Sequence, residues 1–257
     1  MKRRPVKRIS IASMLTRREV LSFISGTVAV SLLGCFRGQS ASVTPTHSST
    51  QAQAPTSTPP SCVVRPEQTE GPYFVDEKLN RSDIRSDPSD GTVKSGTPLQ
   101  LVFQVSQVND RACTPLSGAI VDVWHCDAEG VYSDVNDRSF STVGQKFLRG
   151  YQVTNAEGIA EFVTIYPGWY PGRTVHIHFK IRTNSASQSS YEFTSQLYFD
   201  DALTDQVQAQ APYAAKGQRS QRNEQDGIFQ DGGQQLTLQL TKAAEGYQGR
   251  FEIGLEV

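Results

Sequence analysis

Short runs of alternating apolar and polar residues recur from residue 99 to the end of the chain. They are "LQLVFQVSQV" (99–108), "AIVDVWHCD" (119–127), "FLRGYQVT" (147–154), "IAEFVTIY" (159–166), "TVHIHFKIR" (174–182), "FTSQLYF" (193–199), "QLTLQL" (235–240) and "GRFEIGLEV" (249–257). Alternation of this kind marks strands with one buried face. The breaks between them, "PLSG", "NAEG", "YPG" and "QDGG", hold the residues that turns require. About eight strands at this spacing predict an all-β sandwich with long loops. Residues 200–232 lack alternation and read as a long loop with one short helix near "DQVQAQAPYAAK". There is no G-x-G-x-x-G, no P-loop and no internal repeat.

Before residue 62 the pattern is different. Residues 1–34 carry seven Lys or Arg against one acid, Glu19; beyond them stand 18 basic and 25 acidic residues, a net of −7. So acidic a remainder would be repelled by phosphate backbones, which argues against nucleic acid as a partner. Arg17 and Arg18 precede the apolar run "VLSFISGTVAVSLLG" (20–34), too short for a comfortable membrane span. "LLGC" has the form of a lipobox ending at Cys35. The expectation is a twin-arginine-type export signal over 1–34, lipidation of Cys35 and a lipoprotein anchored at a periplasmic or extracellular face. Ser, Thr, Pro, Gln and Ala then fill 21 of the 26 places from 36 to 61, so 35–61 reads as a tether. The remainder, 62–257, is long enough for one core. Export would permit a disulfide; Cys62 and Cys113, both beside proline-containing turns, are the expected pair, and Cys126, in an apolar run, is expected as a buried thiol.

The candidate chemistry lies in "TIYPGWYPGRTVHIHF" (164–179). Residues two apart on a strand share a face, so His176 and His178 point the same way and offer half of a metal site. Cysteine-rich zinc patterns and H-E-x-x-H are absent, and no carboxylate follows His178 before Glu192. Asp127 or Asp200 would have to fold back to complete a two-histidine, one-carboxylate site. Tyrosine is plentiful instead: Tyr132, Tyr166 and Tyr170. A phenol ionises near pH 10 in water, but a trivalent cation supplies the charge to ionise it sooner, so phenolates favour Fe³⁺. His125, beside Trp124, reads as a core histidine, and His47 as a solvated tether residue.

Six blocks taken together are similar to the intradiol ring-cleavage dioxygenases, most of all to the β chain of protocatechuate 3,4-dioxygenase: "TEGPYF" (69–74), "LNRSDIR" (79–85), "VDVWHCDAEGVYS" (121–133), "FLRG" (147–150), "TIYPGWYPGRTVHIH" (164–178) and "SQLYF" (195–199). The resemblance implies one ferric ion held by Tyr132, Tyr170, His176 and His178. Tyr170 and His178 would be axial; Tyr132 and His176 would lie in the equatorial plane with a solvent hydroxide. Tyr166, the rival tyrosine, fits a strand pattern and is expected to pack. The likeness also implies active-site roles for Arg173 and Gln196. It makes Thr69, Gly71, Pro72 and Tyr73 a substrate-lining segment, here supplied by the same chain. Only Pro171 and Gly172 separate Tyr170 from Arg173, a shorter link than family members often have, which should open the mouth of the pocket.

The implied reaction inserts both atoms of O₂ into a catechol-type ring, between the hydroxyl-bearing carbons, giving a muconate-type diacid in aromatic catabolism. Oligomeric state is not legible, and a homo-oligomer is compatible with the sequence. Two other readings stand beside it. One is a surface module that binds glycan or aromatic matter through exposed rings such as Trp169. The other is a ferrous extradiol-type oxygenase, which would cut beside the hydroxyls.

Overall fold

The structure, a computed structural model, describes residues 63–109, 112–183 and 191–257. The expected signal (1–34), Cys35, the tether (35–61) and Cys62 lie outside the described residues.

Among the described residues nine strands form two sheets. In the five-stranded sheet, β1 (Pro98–Asn109) runs parallel to β9 (Tyr247–Leu255), which pairs with β8 (Leu240–Lys242). The other edge of β1 takes β5 (Ile159–Ile165) along residues 98–104 and β2 (Ala112–Pro115) along 106–109. The four-stranded sheet is antiparallel throughout, in the order β4 (Arg149–Val153), β3 (Ile120–Trp124), β6 (His176–Thr183), β7 (Tyr191–Tyr198). The core between them is built on aromatics. Phe103 of β1 meets Phe179 of β6 with ring centroids 5.4 Å apart, and Phe251 of β9 lies 5.4 Å from Phe179 and 5.9 Å from Phe103. Burying rings of this size, with the aliphatic residues packed around them, drives the sandwich to close.

On β6 the two faces do different work. Ile177, Phe179 and Ile181 enter the core, so His176, His178 and Lys180 must lie on the opposite face. That face is buried as well, because the segment from 68 to 84 crosses it. Gln68 N–H donates to Thr194 O of β7, Tyr151 N–H of β4 donates to Leu79 O, and Ile84 N–H donates to Val163 O of β5. Lys180 is paired with Glu70 of this strap and with Glu192, and its ammonium sits 4.2 Å from the Phe74 ring centroid.

The alternating runs and the observed strands match except at two places. β2 is a four-residue strand that is too short to show a period. "QLTLQL" is mostly not a strand: a 3-10 turn covers Gly233–Leu236, and only Leu240 enters β8. Leu236 and Leu238 are nonetheless buried; alternation reports which side chains face the core and not whether the backbone finds a partner. The long loop holds a helix, α1 (Asp201–Gln208), and a second short helix, α2 (Gly227–Gln230). Cys113 on β2 is disulfide-bonded, and Cys126 is a free, buried thiol whose pKa burial raises.

Candidate metal centre

The register of the four-stranded sheet sets one row of side chains across its outer face. Arg149 of β4 is opposite Trp124 of β3, Trp124 is opposite His178 of β6, and His178 is opposite Gln196 of β7. The Trp124 indole stacks on the His178 imidazole at 5.0 Å with 7° between planes. Gly71 of the strap closes over the same ring. Its φ is +73°, and a Cβ built there would stand 3.1 Å from His178 Cε1. Gly71→Ala is therefore expected to cost about 1–2 kcal/mol from the left-handed backbone alone, read as a lower urea midpoint; an unchanged midpoint would show that the strap conformation is not required.

Two loops bring tyrosines to this row. After β3, Asp127 Oδ1 accepts from Glu129 N–H and Val131 N–H, both at 3.0 Å, and the turn it makes points Tyr132 inward. Arg149 fixes the far side of that loop, donating from Nε to Ser133 Oγ at 2.7 Å. Tyr170 arrives from "YPGWY", where Gly168 N–H donates to Asp127 O at 3.1 Å. His176 Nε2 is the meeting point: Tyr170 Oη lies 3.0 Å away, His178 Nε2 3.1 Å and Tyr132 Oη 3.5 Å.

Protonation follows from the partners. His176 Nδ1 donates to Thr174 O at 2.6 Å, which leaves its lone pair on Nε2, facing the cluster. His178 Nε2 faces it at 3.1 Å, a spacing that two bare ring nitrogens hold only around a shared cation, while His178 Nδ1 is buried without a hydrogen-bond partner. Burial, and then the Arg173 charge, pushes the His176 pKa down to about 3; burial and His176 push His178 well below its usual value. Burial raises the phenol pKa values of Tyr132 and Tyr170. The protein therefore assembles neutral imidazoles and neutral phenols, and phenolates would form here only against a strong positive charge.

The spacing fits donors to one cation. Donors about 2.1 Å from a common centre stand about 3.0 Å apart at a right angle and about 3.6 Å apart at a wider, trigonal angle. Among the described residues no group of three or more His, Cys, Asp and Glu could hold a metal, so such a site depends on the tyrosine oxygens. Asp127 is held by Lys94 at 2.9 Å and Asp200 caps α1, and neither completes a two-histidine, one-carboxylate set.

Arg173 stands beside the cluster. Its Nη2 donates to Gln196 Oε1 at 2.6 Å, its Nη1 is 3.4 Å from His176 Nε2, and its Nε donates to Asp226 Oδ2 at 2.8 Å. Burial alone would lower its pKa, but Tyr170 and Asp226 outweigh that and raise it. Gln196 Nε2 donates to Thr69 O at 2.9 Å, tying the strap to the arginine. Tyr73 packs on Tyr132 with ring centroids 4.6 Å apart and donates from Oη to Asp137 Oδ2 at 2.8 Å; burial and that bond lift its pKa to about 12. Pro72 is exposed. Tyr166 does pack, with Oη bonded to Thr204 Oγ1 at 2.7 Å. Trp169 is not a free ring, for Lys216 lies 4.9 Å above it and its Nε1 donates to Gly217 O at 3.2 Å. Asp226 carries no such signal in the sequence: Asp-Gly before "IFQ" reads as a helix cap, and nothing local links it to Arg173.

Comparisons agree with this architecture. A family model described as "Dioxygenase" matches residues 69–221. An intradiol ring-cleavage dioxygenase from Tetranychus urticae is 32% identical, covering 76% of this chain and 95% of that one, with a TM-score of 0.64. The dioxygenase domain of a dioxygenase–carbohydrate-binding protein fusion from Streptomyces sp. SirexAA-E is 31% identical over 76% of this chain and 99% of that one, with a TM-score of 0.53. The protocatechuate 3,4-dioxygenase β chain of Burkholderia cepacia is 33% identical over 119 residues, 43% of this chain and 50% of that protein. The chain thus spans about half the length of the first curated relatives it matches. The localisation expected from the N-terminal residues, that of an exported, membrane-anchored lipoprotein, is overturned by the comparison with the homologous intradiol dioxygenases. Among the described residues no helix is long and apolar enough to cross a membrane, a statement that leaves β-barrels aside. On the matched segment, the shared fold and the identity to solved relatives, the chain belongs to the intradiol ring-cleavage dioxygenase family.

Proposed function

We propose that this chain is a non-haem Fe(III) intradiol dioxygenase. It would insert both atoms of O₂ into a catechol-type ring between the two hydroxyl-bearing carbons, releasing a muconate-type diacid. One observation carries the reading: two phenol oxygens and a second imidazole nitrogen lie within 3.0–3.5 Å of His176 Nε2. Family members are Fe(III)-dependent dioxygenases, which supports the choice of metal. Tyr132, Tyr170, His176 and His178 would hold the ion. Residues 62–257 would form the catalytic domain, with Cys62 paired to Cys113.

A ferric ion held by these four residues would bind the catechol as its dianion and make the ring electron-rich enough to react with O₂. The residues themselves do the rest. Tyr170, the less buried of the two phenols and ionised while it holds the ion, would take one substrate hydroxyl proton at Oη, and the solvent hydroxide that the resemblance implies would take the other and leave as water. Tyr132, covered by Tyr73, keeps its place. Arg173 holds a positive charge beside the cluster, where negative charge develops as the ring opens. Gln196 fixes Arg173 on one side and Thr69 on the other, so the segment Thr69, Gly71, Pro72 and Tyr73 lines the substrate from within the same chain. Burial of both imidazoles keeps water from competing. Both oxygen atoms end in the product, and the two ring carbons supply the electrons, so no external reductant enters.

Tyr132→Phe tests the assignment. The phenyl ring keeps the packing on Tyr73 but removes the oxygen. The expected result is loss of the visible phenolate-to-iron band contributed by Tyr132 and a fall in O₂ uptake with catechol of about 10²–10³-fold. Iron binding, colour and turnover all unchanged would show the assignment to be wrong.

A further inference from the structure

Asp226 lies in the stretch 200–232, where the sequence pattern assigns no chemistry, yet its side chain is almost wholly buried at 1% exposure. Its two oxygens serve different groups. Oδ1 accepts from Ile228 N–H at 2.8 Å and Phe229 N–H at 3.2 Å and caps α2. Oδ2 faces the other way, accepting from Arg173 Nε–H at 2.8 Å and Thr174 N–H at 2.7 Å. A helix cap needs only the first of these oxygens.

The second oxygen controls two features of the centre. With Nε held by Asp226, the planar guanidinium is left with Nη2 on Gln196 and Nη1 toward His176 Nε2. With its N–H held, Thr174 presents the carbonyl that takes the His176 Nδ1 proton at 2.6 Å; its hydroxyl is anchored on Asn223 Oδ1, also at 2.6 Å. One carboxylate thus sets the direction of the cation and the tautomer of the imidazole that meets the other three donors.

We propose that Asp226 is a positioning residue of the centre: its Oδ2 aims the Arg173 guanidinium and fixes Thr174 so that His176 keeps its proton on Nδ1 and its lone pair on the donor cluster. The effect on turnover rests on the dioxygenase reading above; the effect on the two side chains does not.

Two variants of the full chain separate aiming from capping. Asp226→Ser keeps a capping oxygen for Ile228 and Phe229 and removes the one facing Arg173. Asp226→Asn conserves volume and sets an NH₂ group against one of the two sets of donors. In metal-free protein labelled with ¹⁵N-His and ¹⁵N-Arg, NMR of the wild type should show a single His176 Nδ1–H tautomer and a slowly exchanging Arg173 Nε–H. Both variants should show mixed His176 tautomers and Nε–H exchange faster by about tenfold or more. With iron and catechol, kcat should fall about 10–100-fold while KM changes less than about threefold. A Ser variant that matches the wild type in tautomer, exchange and kcat would reduce Asp226 to a helix cap and overturn the proposal. If the Ser variant does not fold, the Asn variant decides by the same NMR readout, and unchanged spectra there overturn it too. A wild type that takes up no iron or opens no ring defeats the ferric reading, while the NMR comparison still decides the role of Asp226.

Discussion

His176→Ala is expected to abolish stoichiometric iron binding and to lower ring opening by at least about 10³-fold, equivalent to about 4 kcal/mol of transition-state stabilisation. No other single change should reach so far. His176 Nε2 is the atom within 3.0–3.5 Å of Tyr170, His178 and Tyr132, and it also has Arg173 Nη1 at 3.4 Å. Truncation leaves two protonated phenols around one imidazole, a set with neither the donor count nor the charge to hold a trivalent ion. It also leaves Arg173 facing an apolar gap. Metal analysis of the purified variant and oxygen uptake with a catechol give the two readouts, with far-UV circular dichroism confirming that the sandwich persists. A variant that keeps one iron per chain and its visible band would remove His176 from the ligand set.

Acid is expected to weaken the metal-free fold from about pH 6.5 downward, and His125 carries a definable share of that loss. The ring is fully enclosed: Nδ1 donates to Cys126 O at 2.8 Å, and Nε2 accepts from Thr164 Oγ1 at 2.7 Å. Burial pushes its pKa down to about 4 from an ordinary value of 6.5. Above pH 6.5 the ring is neutral in both folded and unfolded chains and adds no pH dependence. Between 6.5 and 4 the unfolded chain takes up a proton that the folded chain refuses, so stability falls as pH falls. Below about 4 both forms are protonated and the loss is complete, at roughly 3 kcal/mol. His125→Gln should be less stable at every pH, yet its urea-unfolding free energy should fall less steeply across this window, by close to one proton. Parallel slopes for the two proteins would mean that the ring titrates normally in the fold.

The parts of the site that were legible from sequence are those whose position follows from a local period. His176 and His178 share a face because they are two apart on a strand, and Ile177 between them goes to the core. Tyr132 and Tyr170 stand in loops, where no period operates; their residue type suggested a hard cation, and the likeness to a family, together with the strand pattern around Tyr166, singled them out. Gln196 was readable for a mixed reason, since the strand gave its face and the likeness its role. Asp226 was illegible because its partner Arg173 is 53 positions away and the contact depends on how a loop without alternation folds back. The same holds for the Trp124 stack on His178, which follows from strand register and not from either residue's neighbours in sequence. Trp169 misled in the opposite direction: a tryptophan in a turn reads as exposed, and here a lysine from a distant segment covers it.

The row Arg149–Trp124–His178–Gln196 takes one side chain from each strand of the four-stranded sheet. Slippage of any strand by a single residue would turn its member to the opposite side, and the row would be broken. During refolding, spectroscopic signals from the His178 ring stack should therefore act as a clock for sheet closure, silent through early collapse and rising only when the slow, long-range pairings are complete.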